Sequence, residues 1–123
     1  MTNYYEQIKE LVIDTETTIK VKDYTKNRVM LENYYEIGGL IVEAQGGETR
    51  AKYGEQIIKE YSKKLIDEVD KKYGITLLKY IRKFYLFIQK GHALRDQFTW
   101  SHYQEVLWNY YWHYFTKLKY VLG

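Results

Sequence analysis

Apolar residues recur at three- and four-residue steps from the start of this chain, the spacing of one helix face. Tyr4, Ile8, Leu11, Val12, Thr15 and Ile19 fall on one side and predict a first helix over Asn3–Thr18. Asn3, with Glu6 three residues on, has the form of a capping box. Residues 17–22 alternate briefly and read as a short extended segment. Met30, Tyr34, Ile37, Ile41 and Ala44 predict a second helix over Thr25–Ala44, with Gly38-Gly39 inside it. Two mid-helix glycines cost about 1 kcal/mol each relative to alanine. Either a close helix crossing or a kink would account for them. Gln45-Gly46-Gly47-Glu48-Thr49 reads as a loop.

The stretch Arg50–Tyr85 follows as two amphipathic helices. Ile57, Ile58, Tyr61, Leu65 and Val69 line the first, and Leu77, Leu78, Ile81, Phe84, Tyr85 and Ile88 the second. A short turn at Tyr73-Gly74 joins them, with Gly74 expected in the left-handed conformation. That is the outline of a central helix-turn-helix. It leaves Thr76, Lys79, Tyr80 and Lys83 on the solvent side of the second helix. The same outline is shared by plain antiparallel packing hairpins, in which the lysines are a solvated face. Gly91 ends this helix, residues 92–98 form a turn or short helix, and Ser101 with Gln104 predicts a capped last helix over Ser101–Val121. One face of that helix carries Tyr103, Leu107, Tyr110, Tyr114, Leu118 and Val121. A second carries Trp108, Tyr111, Trp112 and Phe115. A helix apolar around most of its circumference is either central to a core or an interface. The second face is therefore a candidate contact with another copy of the chain or a protein partner. The fold class expected is all-α, about five helices in a single domain spanning 1–123.

Composition narrows the chemistry. The 123 residues can bury a core without staples, and the chain contains no cysteine, which removes disulfides and cysteine-based metal or nucleophile chemistry. No proline interrupts the helices, no signal-like leader is visible and no apolar run is long enough to cross a bilayer, so a cytoplasmic location is expected. The net charge of +3 is mildly basic and compatible with nucleic acid. Fifteen tyrosines supply rings with polar tips, suited to a core with wet edges, to an interaction surface or to base stacking. Of the three histidines, His102 and His113 lie too far apart along one helix to share a metal. His102 is placed as a cap or beside Trp100. Asp67, Glu68, Asp70 and Lys72 echo a nuclease fragment, yet along one helix they do not converge on a cation and read as surface ion pairs. No nucleophile elbow or phosphate loop is present. No enzymatic activity and no cofactor is expected.

Several strings resemble the YhcG-like N-terminal domain family, in the family's order. They are Tyr35-Glu36-Ile37-Gly38 with Ile41 and Glu43-Ala44-Gln45, then Arg50-Ala51-Lys52-Tyr53-Gly54, then Ile57, Ser62, Lys64 and Leu65. Leu78, Ile81-Arg82 and Phe84-Tyr85 follow, and Thr99-Trp100-Ser101-His102-Tyr103 closes the series. The resemblance implies a helical, winged-helix-like DNA-binding module that usually precedes a PD-(D/E)XK nuclease domain in restriction-type or mobile-element systems. The nuclease half is expected to be absent from this chain. Gly74 stands where the family has a serine N-cap, and Leu77 where it has an asparagine. On this reading Arg50, Lys52, Lys71 and Lys72 contact phosphates and Lys79, Tyr80 and Lys83 face the groove or backbone. Thr76 approaches a base edge, and Arg82 is structural. The competing expectation is a protein-binding regulator or inhibitor carried by a mobile element, acting through Trp108, Tyr111, Trp112 and Phe115.

Overall fold

Five helices account for the periodicity. The computed structural model describes residues 3–21, 25–46, 51–92 and 98–110, with residues 51–53 described by their backbone alone. The fold is all-α. It comprises α1 (Tyr4–Lys20), α2 (Lys26–Ala44), α3 (Ala51–Glu68) and α4 (Ile75–Gln89), and α5, whose described part is residues 100–110. The centre of the packing is α2, against which both α1 and α4 lie along their lengths, while α3 touches α2 and α4 over a smaller area.

The expected apolar faces form the core, with shifts of one position. Ile8, Val12, Ile37, Ile41, Leu65, Leu78, Ile81 and Phe84 are all buried. In α1 it is Tyr5 rather than Tyr4 that turns inward. Its hydroxyl donates to Glu68, its ring packs 5.5 Å from that of Tyr61, and the Lys64 ammonium sits 5.0 Å above it. A tyrosine that satisfies its polar tip can enter a core where an unpartnered one would not. In α2 the buried residue is Leu31, with Met30 packed at the edge, and Gln45 rather than Ala44 ends the buried stripe. Phe87 of α4 is also buried. The segment expected to be extended is helical through Lys20, Val21 takes up an extended backbone, and Lys22 lies outside the described residues. Asn3 caps α1 as expected, its Oδ1 accepting from the Glu6 amide at 3.1 Å.

Gly38-Gly39 marks a close crossing. A Cβ at Gly38 would lie 2.5 Å from the Ile81 carbonyl oxygen and 2.6 Å from the Tyr85 Cβ, and one at Gly39 would touch the Tyr85 ring at 3.0 Å. The α2 and α4 backbones meet where α2 has no side chains, and the packing gained offsets the helix cost of the two glycines.

The connection between α3 and α4 occupies residues 69–74 and is longer than the about three- to four-residue turn of a helix-turn-helix. Asp70 organises it: its Oδ1 accepts from the Lys72 amide at 2.9 Å. Tyr73 is fully buried, and the buried Ser62 hydroxyl donates to its carbonyl at 3.0 Å. Gly74 is not left-handed. It is the extended N-cap of α4 with φ −75°, whereas among the described residues the positive-φ glycines are Gly46 and Gly91.

The cap of the last helix lies two residues earlier than expected. Thr99, not Ser101, is its cap: Thr99 Oγ1 accepts from the His102 amide at 3.3 Å, and the Thr99 amide donates to His102 Nδ1 at 3.1 Å. This is the reciprocal geometry of a capping box, with histidine in place of glutamate. Trp100 then stands edge-on to Tyr34 and Phe84, at 4.8 and 5.4 Å, and Tyr103 packs 4.9 Å from Phe84. The Trp-Ser-His-Tyr string therefore docks α5 on the junction of α2 and α4.

Tyrosine burial gives the fold an alkaline limit. Burial, the neighbouring Tyr34 and the Glu16 carboxylate, which accepts from the Tyr73 hydroxyl at 2.7 Å, push the Tyr73 phenol far above its ordinary range. Burial and Glu68 do the same for Tyr5. Burial raises Tyr34 even though its contact with the Tyr73 hydroxyl works the other way. A pKa raised on folding contributes stability that is complete below the unfolded value, 10.0 for these phenols, and is lost above it. Circular dichroism followed against pH should show cooperative loss of helix above about pH 10, coincident with phenolate absorbance. Tyrosines that titrate freely while the helices persist would contradict this packing.

Candidate nucleic-acid interface

Local helix geometry sets what α4 offers. Its buried stripe of Leu78, Ile81, Phe84 and Phe87 fixes the rotation of the helix. That leaves Thr76 and Lys79 exposed and Lys83 half-buried on the other side. Thr76 lies in the first turn. Tyr80 is half-buried against the core and holds the Lys83 ammonium 5.7 Å above its ring. Burial, and then the charges of Lys79 and Arg82, hold the Lys83 ammonium below its ordinary pKa. Three cations are thus crowded at one end of this face. Lys79 is partly offset by Glu55 of α3 at 3.8 Å, an exposed pair of the kind that contributes little.

The other expected phosphate contacts are placed differently. Lys72 reaches across to α1, where its ammonium lies 2.8 Å from Glu16, a carboxylate only 12% exposed. Partial burial works to lower the Lys72 pKa, and the hydrogen bond and charge of Glu16 outweigh it and raise it. That lysine ties the α3–α4 connection to α1. Lys71 is exposed in the same connection. Arg50 and the side chain of Lys52 lie outside the described residues, as do Tyr111, Trp112 and Phe115. Trp108 is described and is 57% exposed on α5.

Arg82 stands at the edge of the apolar stripe, as expected, with a partner that the periodicity does not show. Its Nε donates to Gln45 Oε1 at 2.5 Å, and Gln45 Nε2 donates to the Gly54 carbonyl at 2.9 Å. Gln45, expected in a solvated loop, is 4% exposed. A Cβ at Gly54 would fall 2.7 Å from its Nε2, so glycine is the residue that leaves room for it. A buried amide in this way joins the end of α2, the first turn of α3 and the middle of α4. The only available signal was that Gln45, Gly54 and Arg82 each sit in a different one of the resembling strings.

The acidic residues do not form a metal site. Glu68 takes the Tyr5 hydroxyl and lies 3.6 Å from Lys9, and Asp70 serves the turn. Among the described residues no group of three or more His, Asp or Glu could hold a metal ion. A separate open groove of about 600 Å³ runs between α1 and α2, lined by Glu10, Asp14, Glu36 and Glu43 beside Tyr35 and Tyr85. That groove is acidic, whereas α4 presents Lys79, Arg82 and Lys83.

A family model described as the DUF1016 N-terminal domain matches residues 7–113. The chain belongs to this family. Over 89 residues, 69% of this chain, it is 42% identical to the protein of Escherichia coli (strain K12) named "Putative nuclease YhcG". The matched stretch is 23% of that protein, so the chain spans about a quarter of its relative's length. No solved structure matches the chain. In this DUF1016 N-terminal domain the resembling strings have structural work to do: Gly38 makes the α2–α4 crossing, Gln45 and Gly54 seat Arg82, and Trp100 and Tyr103 dock α5. Among the described residues no helix is long and apolar enough to cross a membrane.

Proposed function

We propose that this domain is a non-enzymatic module that binds duplex DNA through α4, as the DNA-binding part of a YhcG-like nuclease system of the cytoplasm, of restriction or mobile-element type. The observation that carries this reading is the crowding of Lys79 and Lys83 on one open face of α4, with Thr76 exposed one turn away. Phosphates spaced along a duplex are matched by cations spaced along one helix face. The acidic groove between α1 and α2 repels the same polyanion, so the duplex meets α4 and the start of α3. Lys71, Arg50 and Lys52 extend the footprint. Used in this way, α4 has the role of the second helix of a helix-turn-helix, reached by a longer connection.

Fluorescence anisotropy with a labelled random duplex at two salt concentrations tests the reading. Binding should weaken steeply with salt, and an absence of binding at low salt would refute it. A further expectation follows from the Lys79–Glu55 pair. Glu55→Gln removes the carboxylate that competes with phosphate and should tighten binding by about two- to fivefold at low salt. Unchanged or weaker binding would place Lys79 outside the contact.

The exposed Trp108 favours a second reading, contact with a second copy or another protein through α5, with Tyr111, Trp112 and Phe115 as the further contacts expected from the sequence. Trp108→Ala would then abolish self-association measured by light scattering and leave duplex binding intact.

A further inference from the structure

We infer that Arg82 is a phosphate-clamping residue of the α4 face and that the buried Gln45 is its positioning residue, an inference that rests on the DNA-binding reading above. Sequence periodicity puts Arg82 at the edge of the apolar stripe, where it reads as structural. The geometry gives it more. A guanidinium carries five N–H donors in a planar fork. Gln45 Oε1 takes the one on Nε, and no other hydrogen bond to Arg82 occurs among the described residues, which leaves the two terminal amino groups for an acceptor. Arg82 is partly exposed.

The seat is rigid. Gln45 is itself held by the Gly54 carbonyl and is 4% exposed, which fixes its amide so that the oxygen faces Arg82. An arginine anchored through Nε and open at its other nitrogens is arranged for bidentate contact with a phosphate, with little side-chain entropy left to lose on binding. Lys79 stands three residues earlier on α4, 3.8 Å from Glu55, which follows Gly54 at the start of α3. Arg82 and Lys79 thus border the same first turn of α3. The charge of Arg82 also bears on the Lys83 ammonium. A purely structural tie would need neither the open amino groups nor this crowding.

The test is duplex titration by anisotropy across a salt series for wild type, Arg82→Gln, Arg82→Lys and Gln45→Ala, with thermal melting of each. Arg82→Gln should bind about tenfold more weakly at low salt and lower the slope of log K against log salt by about one. Arg82→Lys keeps the charge and loses the fork, so it should restore the slope while remaining several-fold weaker. Gln45→Ala should weaken binding several-fold with the slope unchanged, because the charge count is the same. If Arg82→Gln fails to fold, Arg82→Lys decides, and wild-type affinity for that variant would overturn the clamp. Wild-type binding together with wild-type affinity and slope in a folded Arg82→Gln would overturn this inference alone. No binding by the wild type would overturn it together with the DNA reading.

Discussion

Gly38→Ala should cost this protein about 3 kcal/mol or more and lower its melting temperature by about 10 °C or more. The new methyl would sit 2.5 Å from the Ile81 carbonyl oxygen and 2.6 Å from the Tyr85 Cβ. Neither can move alone, since one is helix backbone and the other is fixed to it. Relief requires α2 and α4 to separate, and these helices share one of the two largest contacts in the fold. Separation would also loosen Ile37, Ile41, Ile81 and Phe84, all fully buried, and tilt the face that carries Lys79 and Lys83. Gly39→Ala meets only the Tyr85 ring, whose side chain can rotate, and should cost markedly less. Thermal melting of the two variants checks the contrast. Equal stabilities would mean that the helices do not cross here.

Lys79→Glu combined with Lys83→Glu should abolish duplex binding while the helices remain. The double change turns two cations into two carboxylates beside Glu55, so phosphates would meet repulsion where they met attraction. Each lost phosphate contact also releases fewer counterions, and the effect should be deepest at low salt, about a hundredfold or more. Stability should change little, because Lys79 is exposed and its pair with Glu55 is a weak surface contact. Lys83 is half-buried over Tyr80, where burial already disfavours its charge. Circular dichroism of the variant verifies that a carboxylate there is tolerated. Retained affinity in a folded variant would remove α4 from the interface.

Much of the fold was legible because helix periodicity is a local signal. The limits of α2 and α4, the buried Ile8, Ile37, Ile41, Leu65, Leu78 and Phe84, and the exposure of Thr76 and Lys79 all follow from which residues stand three and four apart. What was not legible depends on partners distant in the chain. Tyr5 replaces Tyr4 because Glu68, sixty-three positions later, accepts its hydroxyl. Tyr73 looked like a turn residue and is a core one, because Glu16, Tyr34 and Ser62 satisfy it from other helices. Gln45 looked like the first residue of a loop and is a buried connector. Gly74 was given the left-handed role because glycine often holds it, but the chain enters α4 there in an extended conformation that other residues also adopt. Between a kink and a close crossing at Gly38-Gly39, only the neighbour across the gap could decide. The candidate site was legible as a row of cations on α4. The seat that orients Arg82 was not, since its three members come from three separate strings.

On the proposed function, duplex DNA meets the α4 face beside the start of α3. Amide hydrogen–deuterium exchange of the wild-type protein, with and without a random duplex at low salt, tests it most directly. Slowed exchange is expected over residues 75–83 and the first turns of α3, with α1 and the acidic groove unchanged. Protection confined to residues 100–110, or none anywhere, would contradict it.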